Sequence, residues 1–234
     1  MKNNNENNKQ HFFLLHSTMF FKLLVNLNFY IRILSLDEDG GIWFGTNAGF
    51  GHVRNGKVLV IKKPIFKGLL VKGIISYSDT QKIIVTDYGL FWFNTVRQQL
   101  SDFFNYEQRK SFNKIQIETA YWDKLQQTLW IGTVSGTLLS YHLKSKQLDV
   151  VLLPSESRAM IMCISELNAS TLVIGTDGTG AFLVDKTKRA IVAKFNQYDT
   201  AEHLSGDAIY DVFKDKDQRV WIATDGGINL METP

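Results

Sequence analysis

The chain has one cysteine, three prolines and only a small excess of positive charge, and these low counts limit the sites and partners that the sequence can support. The single Cys163 excludes an intrachain disulfide and cannot build a zinc site, and its apolar run Met160–Ser165 predicts a buried thiol. A net charge of +3 with scattered Lys and Arg is too mild to indicate a nucleic-acid partner, and we expect none. No window combines sustained helical periodicity with capped ends, whereas period-2 alternation recurs, so the sequence predicts an all-β protein.

Recognisable catalytic and metal-binding motifs are also missing. The five histidines show no metal-ligand spacing, and no Gly-rich phosphate loop, G-x-S-x-G elbow or H-E-x-x-H helix occurs. The acidic segments Asp37–Gly41 and Asp215–Gln218 lack the closing Glu of a calcium loop, and we interpret both as hairpin turns. We therefore expect no catalytic residue, no metal site and no cofactor.

A seven- or eight-residue phrase of the form Trp/Val-x-Gly-Thr followed by glycine recurs along the chain. Its threonines, Thr46, Thr86, Thr133, Thr176 and Thr224, are 40, 47, 43 and 48 residues apart. The copies are Trp43–Gly49, a degraded Ile83–Gly89, Trp130–Gly136, Val173–Gly180 and Trp221–Gly227. A self-similar period of this size predicts one supersecondary unit that is copied and stacked.

Each repeat divides into four short antiparallel strands separated by Gly, Asn and Asp turns, which is the content of a propeller blade. The sequence therefore predicts a β-propeller of five four-stranded blades, with the first strand of each blade along the central axis. The chain ends before the fourth strand of the last blade, so we expect an incomplete or strained ring. The predicted blades are 30–63, 70–104, 114–153, 159–196 and 206–234.

The repeated large and small residues are assigned structural roles. Trp43, Trp130 and Trp221 share one strand position, where a large ring can fill the space between blades, in preference to a role as sugar-stacking platforms. A small residue precedes each threonine of these copies and predicts a close approach by a neighbouring group.

Residues 1–29 lie outside the repeats and leave two interpretations open. A polar tail is followed by an apolar segment that Lys22 interrupts. It is either a signal or membrane anchor, or it forms outer strands over Phe20–Asn28. In the second case, Leu23–Asn28 could supply the missing strand of the last blade.

The repeat resembles the two-component regulator propeller repeat, an apolar strand followed by D-x-x-G-x-L-W-I-G-T, two variable residues and G-L. The first copy matches at Asp37, Gly40, Trp43, Gly45, Thr46 and Gly49. The fifth matches at Asp215, Trp221, Thr224, Gly227 and Ile228, with Gln218 where glycine is usual. The resemblance covers about residues 30–230.

The resemblance implies the extracytoplasmic sensor region of hybrid histidine kinases, which is common in gut Bacteroidetes and whose ligands are typically glycan fragments. Those sensors carry about fourteen repeats, whereas this chain has five and no kinase or receiver motif. The implied role is therefore a periplasmic or membrane-associated, non-enzymatic sensing fragment. It would bind an oligosaccharide or other small ligand, and further blades or a second copy are the expected protein partners. A propeller lyase or hydrolase and a protein-interaction scaffold are the alternatives.

A ligand is predicted to bind at the end of the blades that carries the turns after each threonine. If the first strand is innermost, these turns share one mouth with the linkers between blades, and such rigidly held loops commonly form sites. The same residue types also suit hairpin turns, which is the structural alternative. The candidate ligand-binding residues are Asn47, Asp87, Tyr88, Arg158, Asp177, His203 and Asp225.

Overall fold

The computed structural model describes residues 30–37, 40–112, 114–151, 159–198 and 203–231, which form five antiparallel sheets in chain order. The predicted all-β propeller of antiparallel blades is confirmed. Arg158 and the strand or anchor interpretations of the N-terminal segment lie outside the described residues. No helix in these described ranges is long and apolar enough to cross a membrane.

Each blade is a meander in which neighbouring strands in the sequence are neighbours in the sheet. The first blade is β1 Ile31–Leu36, β2 Ile42–Thr46, β3 Gly49–Arg54 and β4 Lys57–Ile61. The second is β5 Val71–Ser78, β6 Gln81–Thr86, β7 Gly89–Asn94 and β8 Gln99–Asp102. The third is β9 Ile117–Asp123, β10 Thr128–Thr133, β11 Leu138–His142 and β12 Gln147–Val151. The fourth is β13 Ile161–Asn168, β14 Thr171–Thr176, β15 Ala181–Asp185 and β16 Ala190–Phe195. The fifth is β17 Ile209–Lys214, β18 Val220–Thr224 and β19 Gly227–Met231.

The first strands of consecutive blades contact one another, β1 with β5, β5 with β9, β9 with β13 and β13 with β17. This arrangement places the first strand of each blade innermost. Within the described ranges, no hydrogen-bonded pairing joins the first sheet to the fifth, and the fifth sheet has three strands. The blades therefore form an arc whose two end faces are not paired with each other.

The described parts of the linkers contain two short helical segments, a 3₁₀ turn at Pro64–Phe66 and α1 at Tyr106–Phe112. The sequence analysis missed α1. Asn105 accepts a hydrogen bond from the Gln108 backbone at 2.9 Å, and the Gln108 side chain accepts one from the Asn105 backbone at 3.3 Å. This reciprocal pair is a capping box, and the spacing of Asn105 and Gln108 was the signal in the sequence.

The core consists of apolar layers between consecutive blades. Trp130 is fully buried and packs on Ile174 and Phe182 of the next blade, and Trp43 lies at 6.0 Å from the ring of Phe93. These contacts support the predicted role between blades for Trp43 and Trp130, whereas Trp221 is half-buried on the last described blade.

The small residue before the threonine is required by the next blade. A Cβ placed on Gly45 would lie 2.6 Å from Val71, which begins the first strand of the following blade. A Cβ on Gly132 of the third blade would lie 2.5 Å from Ile161, which begins the first strand of the fourth blade. The predicted close approach is therefore made by an apolar side chain of the neighbouring first strand.

Buried ion pairs also join consecutive blades. Lys82 of the second blade is 3% exposed and lies 2.7 Å from Asp37 of the first. Lys186 of the fourth blade is fully buried, at 2.8 Å from Asp123 of the third blade and 2.7 Å from Glu166 of its own blade. Each lysine needs its carboxylate, because an unpaired buried charge is costly.

Candidate functional site

The repeated threonine closes the turn between the second and third strands of every blade. Its hydroxyl donates to a backbone carbonyl three or four residues ahead, which fixes the turn with a local side-chain bond. The hydroxyl-to-carbonyl distances are 2.9 Å for Thr46, 2.9 Å for Thr86, 2.9 Å for Thr133, 2.6 Å for Thr176 and 3.1 Å for Thr224. We call this end of the blades the threonine end.

Backbone hydrogen bonds hold the threonine turns against the linkers that enter each blade. The residue after the threonine donates its N–H to a linker carbonyl, as Asp87 does to Leu70 at 3.0 Å and Asp225 does to Ala208 at 3.0 Å. The same bond joins Asp177 to Met160 at 2.9 Å. Turns and linkers therefore share the threonine end, and the blades hold both rigidly.

Two of the predicted ligand-binding carboxylates also hold the linkers. Asp87 is buried, and its Oδ1 accepts a hydrogen bond from the Leu70 backbone N–H at 2.8 Å. The Oδ1 of Asp225 accepts one from the Ala208 backbone N–H at 3.2 Å. Both side chains therefore carry the structural role that their turn positions also predicted.

The remaining described candidates are exposed. Asn47 and Asp177 are exposed in their turns, and Tyr88 is 44% exposed. His203 is exposed and lines a groove beside β19 of the fifth blade. Their role in ligand binding stays a prediction.

A feature that the sequence analysis missed is a β-bulge in the first strand of every blade. In each case one residue has no partner on the second strand, and the pairing register shifts across it. The bulge lies near the threonine end, since the residue before it pairs with the repeated threonine. The five bulged residues are Arg32, Lys72, Glu118, Met162 and Tyr210.

Bulges re-aim side chains and are frequent beside binding sites. The bulged side chains of Lys72 and Glu118 extend towards each other, since the lysine Nζ lies 2.5 Å from Glu118 Oε2 across two neighbouring innermost strands. Both side chains are partly exposed, and Tyr210 is 58% exposed. In the sequence, the bulged residue is marked only by its position, which is 14 residues before the repeated threonine, or 15 residues in the third blade.

A cavity of about 360 Å³ opens at the threonine end of the third blade. Its polar lining comes from Lys114, Gln116, Thr133, Ser135 and Thr137, over an apolar floor. A cavity of this size holds a small ligand, and hydroxyl, amide and ammonium groups are suited to bind one with many oxygens.

Two titratable groups with strongly raised pKa values lie between blades. Burial, with the nearby Glu166 carboxylate, raises the pKa of Tyr121 well above its usual value, and the two side chains are hydrogen-bonded at 3.0 Å. Burial raises the pKa of the Cys163 thiol to about 12. A catalytic site usually gathers such groups in a cleft, whereas these two belong to the packing of the third, fourth and fifth blades.

One family model matches part of the chain. Residues 203–226, which include the turn and second strand of the fifth blade, match the family described as Two component regulator propeller. The resemblance based on the repeated phrase is thereby confirmed. No curated protein matches the chain.

Solved structures with the same fold include two extracellular domains from Bacteroides thetaiotaomicron. The extracellular domain of BT4673, described both as a one component and as a hybrid two component system, superposes with a TM-score of 0.69 at 19% identity, over 87% of this chain and 27% of that one. The extracellular domain of the hybrid two component system BT3049 gives 0.66 at 20% identity, over 86% and 26%. The WD40 β-propeller domain of Doa1 gives 0.66 at 9% identity, over 86% and 63%.

These likenesses establish the propeller fold. The chain spans about a quarter of the length of the two Bacteroides domains.

Proposed function

We propose that this chain is a non-enzymatic ligand-binding region of an extracytoplasmic sensor propeller, and that its ligand is a glycan fragment. The observation that carries the proposal is a contrast at the threonine end. The threonines that close the turns repeat from blade to blade. The bulged residues of the innermost strands instead differ in charge, size and polarity. A rigid frame that presents varied side chains at one end is the usual construction of a recognition surface.

The chemistry of the bulged residues suits a sugar. Arg32, Lys72 and Glu118 supply donors and an acceptor for hydroxyl groups, and Tyr210 supplies a ring for the apolar face of a pyranose. The hydroxyl-rich cavity on the third blade extends the same surface. The extracytoplasmic location is supported by the propeller-repeat match and by the extracellular domains that share the fold.

A non-enzymatic role is favoured over catalysis by where the ionisable groups lie. At the threonine end, Lys72 and Glu118 form an ion pair in which Nζ and Oε2 are 2.5 Å apart. A glycosidase needs two carboxyl groups across the bond that is cleaved. The carboxylates of Asp87 and Asp225 are instead hydrogen-bonded to the linkers.

The proposal is tested by calorimetric titration of the chain with neutral and acidic oligosaccharides, followed by chromatography of the recovered sugar. We expect at least one oligosaccharide to bind and to be recovered intact. Cleavage of the sugar would favour the propeller enzyme, and no binding across the panel would contradict the glycan proposal.

Two double variants locate the site. Arg32→Ala with Tyr210→Ala removes a cation and an aromatic ring at the bulges and should weaken binding at least tenfold. Lys124→Ala with Leu125→Ala removes a cation and an exposed apolar side chain from the turn at the opposite end, and should leave affinity unchanged. Equal effects of the two variants would mean that the bulged residues do not form the site.

A third double variant tests the turn residues. Asn47→Ala with Asp177→Ala changes two exposed turn side chains without affecting the linker bonds of the other turns. A loss of affinity would extend the site from the bulges to the turns. Unchanged affinity would limit the site to the innermost strands.

A further inference from the structure

The third blade differs from the other four in its threonine turn. The residue after the repeated threonine is Asn47 in the first blade and an aspartate in the second, fourth and fifth, whereas it is Val134 in the third. The turn of the third blade instead carries hydroxyl groups on Ser135 and Thr137. This turn, whose side chains include no carboxylate or amide, is the one that lines the cavity of about 360 Å³.

Lys114 is the one charged residue in the lining of this cavity. Its side chain is exposed, and among the residues that the structure describes none pairs with its ammonium group. An ammonium group is a compact positive charge with three hydrogen-bond donors. The lining therefore favours a ligand group that carries negative charge.

The turn also has hydroxyl protons that a ligand can accept. The hydroxyl of Thr133 donates to the Thr137 carbonyl at 2.9 Å and accepts from the Thr137 N–H at 2.8 Å. Because the Thr133 proton is used in this way, Ser135 is the donor in the 3.0 Å contact between Ser135 Oγ and Thr133 Oγ1. The contact between Ser135 Oγ and Thr137 Oγ1 is 3.3 Å, which is long for two hydroxyls. The Thr137 proton is therefore easily turned towards a ligand.

The carboxylates near the linker into the third blade are directed to other partners. Glu118 pairs with Lys72 at 2.5 Å. Asp87 accepts a hydrogen bond from the Leu70 N–H at 2.8 Å. Neither carboxylate lines the cavity, so neither cancels the charge of its lysine.

Two linkers at the threonine end add to this positive charge. Residues 62–70, which enter the second blade, contain three lysines and no acidic residue, and residues 103–116, which enter the third, contain three cations and one glutamate. Such charges attract anions over about 10 Å at 0.1 M salt. The turns of the fourth and fifth blades carry Asp177 and Asp225 instead. The positive side of the threonine end therefore lies at the linkers into the second and third blades.

We propose that the cavity of the third blade is the subsite for an anionic substituent of the bound glycan, either a carboxylate or a sulfate ester. Lys114 pairs with the anion, and the hydroxyls of Ser135 and Thr137 donate to its remaining oxygens. The inference rests on the proposed function and narrows its ligand to an acidic sugar.

The rest of the lining suits one sugar residue. Ile115, Val134 and Leu139 form an apolar side for the C–H face of the ring, and the Gln116 amide can bond a neighbouring hydroxyl. A volume of about 360 Å³ is near the lower end of the about 300–1,000 Å³ usual for small-ligand sites. Glu118 follows Gln116 by two residues, so the remainder of the oligosaccharide would extend directly to the bulged residues.

Matched acidic and neutral sugars test the proposal by calorimetric titration. Each uronic-acid oligosaccharide is compared with its carboxyl-reduced form, and each sulfated oligosaccharide with its desulfated form, so the two kinds of pair separate carboxylate from sulfate. We expect the acidic member of at least one pair to bind at least tenfold more tightly, and this preference to shrink as NaCl is raised from about 0.05 to 0.5 M. Equal or tighter binding of every neutral member would overturn the anionic subsite and leave the glycan proposal standing. Absence of binding by all the sugars would overturn both.

Two variants of equal charge locate the subsite. Lys114→Gln should remove the preference for the acidic sugar. Lys144→Gln, in the exposed turn between β11 and β12 at the opposite end of the same blade, should keep it. Because both variants remove one positive charge, a general charge effect would change both alike. Equal preferences in the two variants would overturn the assignment to the cavity.

The hydroxyl groups are tested by Ser135→Ala with Thr137→Val. This double variant keeps the backbone groups of Thr137 that bond Thr133. It should weaken binding of the acidic sugar about tenfold and that of its neutral partner less. In the unmodified chain, the amide NMR signals of residues 134–138 should move when the acidic sugar is added. Movement confined to other blades would overturn the proposal even if the double variant does not fold.

Discussion

The indole Nε1 of Trp43 donates a hydrogen bond of 2.8 Å to Asp37 Oδ2, six residues earlier in the chain. The same bond recurs in the fifth blade, where Trp221 donates to Asp215 at 2.9 Å. In the first blade this aspartate thus orients the tryptophan that packs against the next blade. In the first blade it also pairs with Lys82 of the second blade at 2.7 Å.

Asp37→Ala should destabilise the protein more than its counterpart Asp215→Ala. Loss of Asp37 leaves the nearly buried Lys82 without its carboxylate. We expect the free energy of unfolding to fall by about 3 kcal/mol, the lower limit usual for a buried ion pair that loses one partner. Asp215 instead pairs with Arg219, which is 54% exposed and can turn to solvent. Urea unfolding of the two variants measures the difference. Equal losses would show that the aspartate acts only in its own turn.

The carboxyl of Asp215 should titrate well below the usual range. The hydrogen bond from Trp221, with further bonds from Arg219, lowers its pKa to about 2. Because the folded value is below the unfolded value of about 3.9, this group stabilises the fold above pH 4, and the contribution is lost as the pH falls towards 2. Trp221→Phe should raise the pKa, measured by carbon NMR titration. An unchanged pKa would assign the shift to the hydrogen bonds from Arg219 and Asp217.

Lys186→Met should cost about 3–5 kcal/mol, because it leaves the buried Asp123 without a cation. The double variant Lys186→Met with Asp123→Asn removes both charges and should recover part of this loss. Chemical unfolding of the two single variants and the double variant measures the coupling energy. Additive losses would show that the pair acts as two independent groups.

Gly132→Ala should destabilise by about 1–3 kcal/mol, the usual cost of overpacking a tight core site. The new methyl group would lie 2.5 Å from Ile161 and 2.8 Å from Thr119. The fifth blade already has Ala223 at this position, and Ala223→Gly is the matched control with an expected small effect. A tolerated Gly132→Ala would mean that the next blade can move away from the third.

Cys163 should be unreactive in the folded protein. It is buried and its pKa is raised to about 12, so almost no thiolate is present at pH 8. Its reaction with a disulfide reagent should therefore become fast only when the protein unfolds in urea. Rapid labelling of the native protein at pH 8 would contradict the burial between the fourth and fifth blades.

The local features of each blade follow from the sequence. The threonine phrase predicts a strand and its turn, and the hydroxyl of Thr46 closes that turn as its type allows. The repeated Trp43 and Gly45 predict contact with a neighbour. These inferences succeed because strand alternation and turn chemistry depend on residues close in the chain.

The tertiary structure decided which groups meet across the blades. Lys82 and Asp37 are 45 residues apart, and no local pattern pairs them. The carboxylates of Asp87 and Asp225 looked available in the sequence, but the linkers bind them.

The bulges could not be predicted from the sequence, for a related reason. A bulge is a shift in the pairing register of two strands, so it depends on the partner strand as well as on Lys72 or Glu118 themselves. The sequence by itself determined the repeated blade and the face with the turns. Only the packing of one blade on the next determined which side chains that face presents, because those contacts join residues of different repeats.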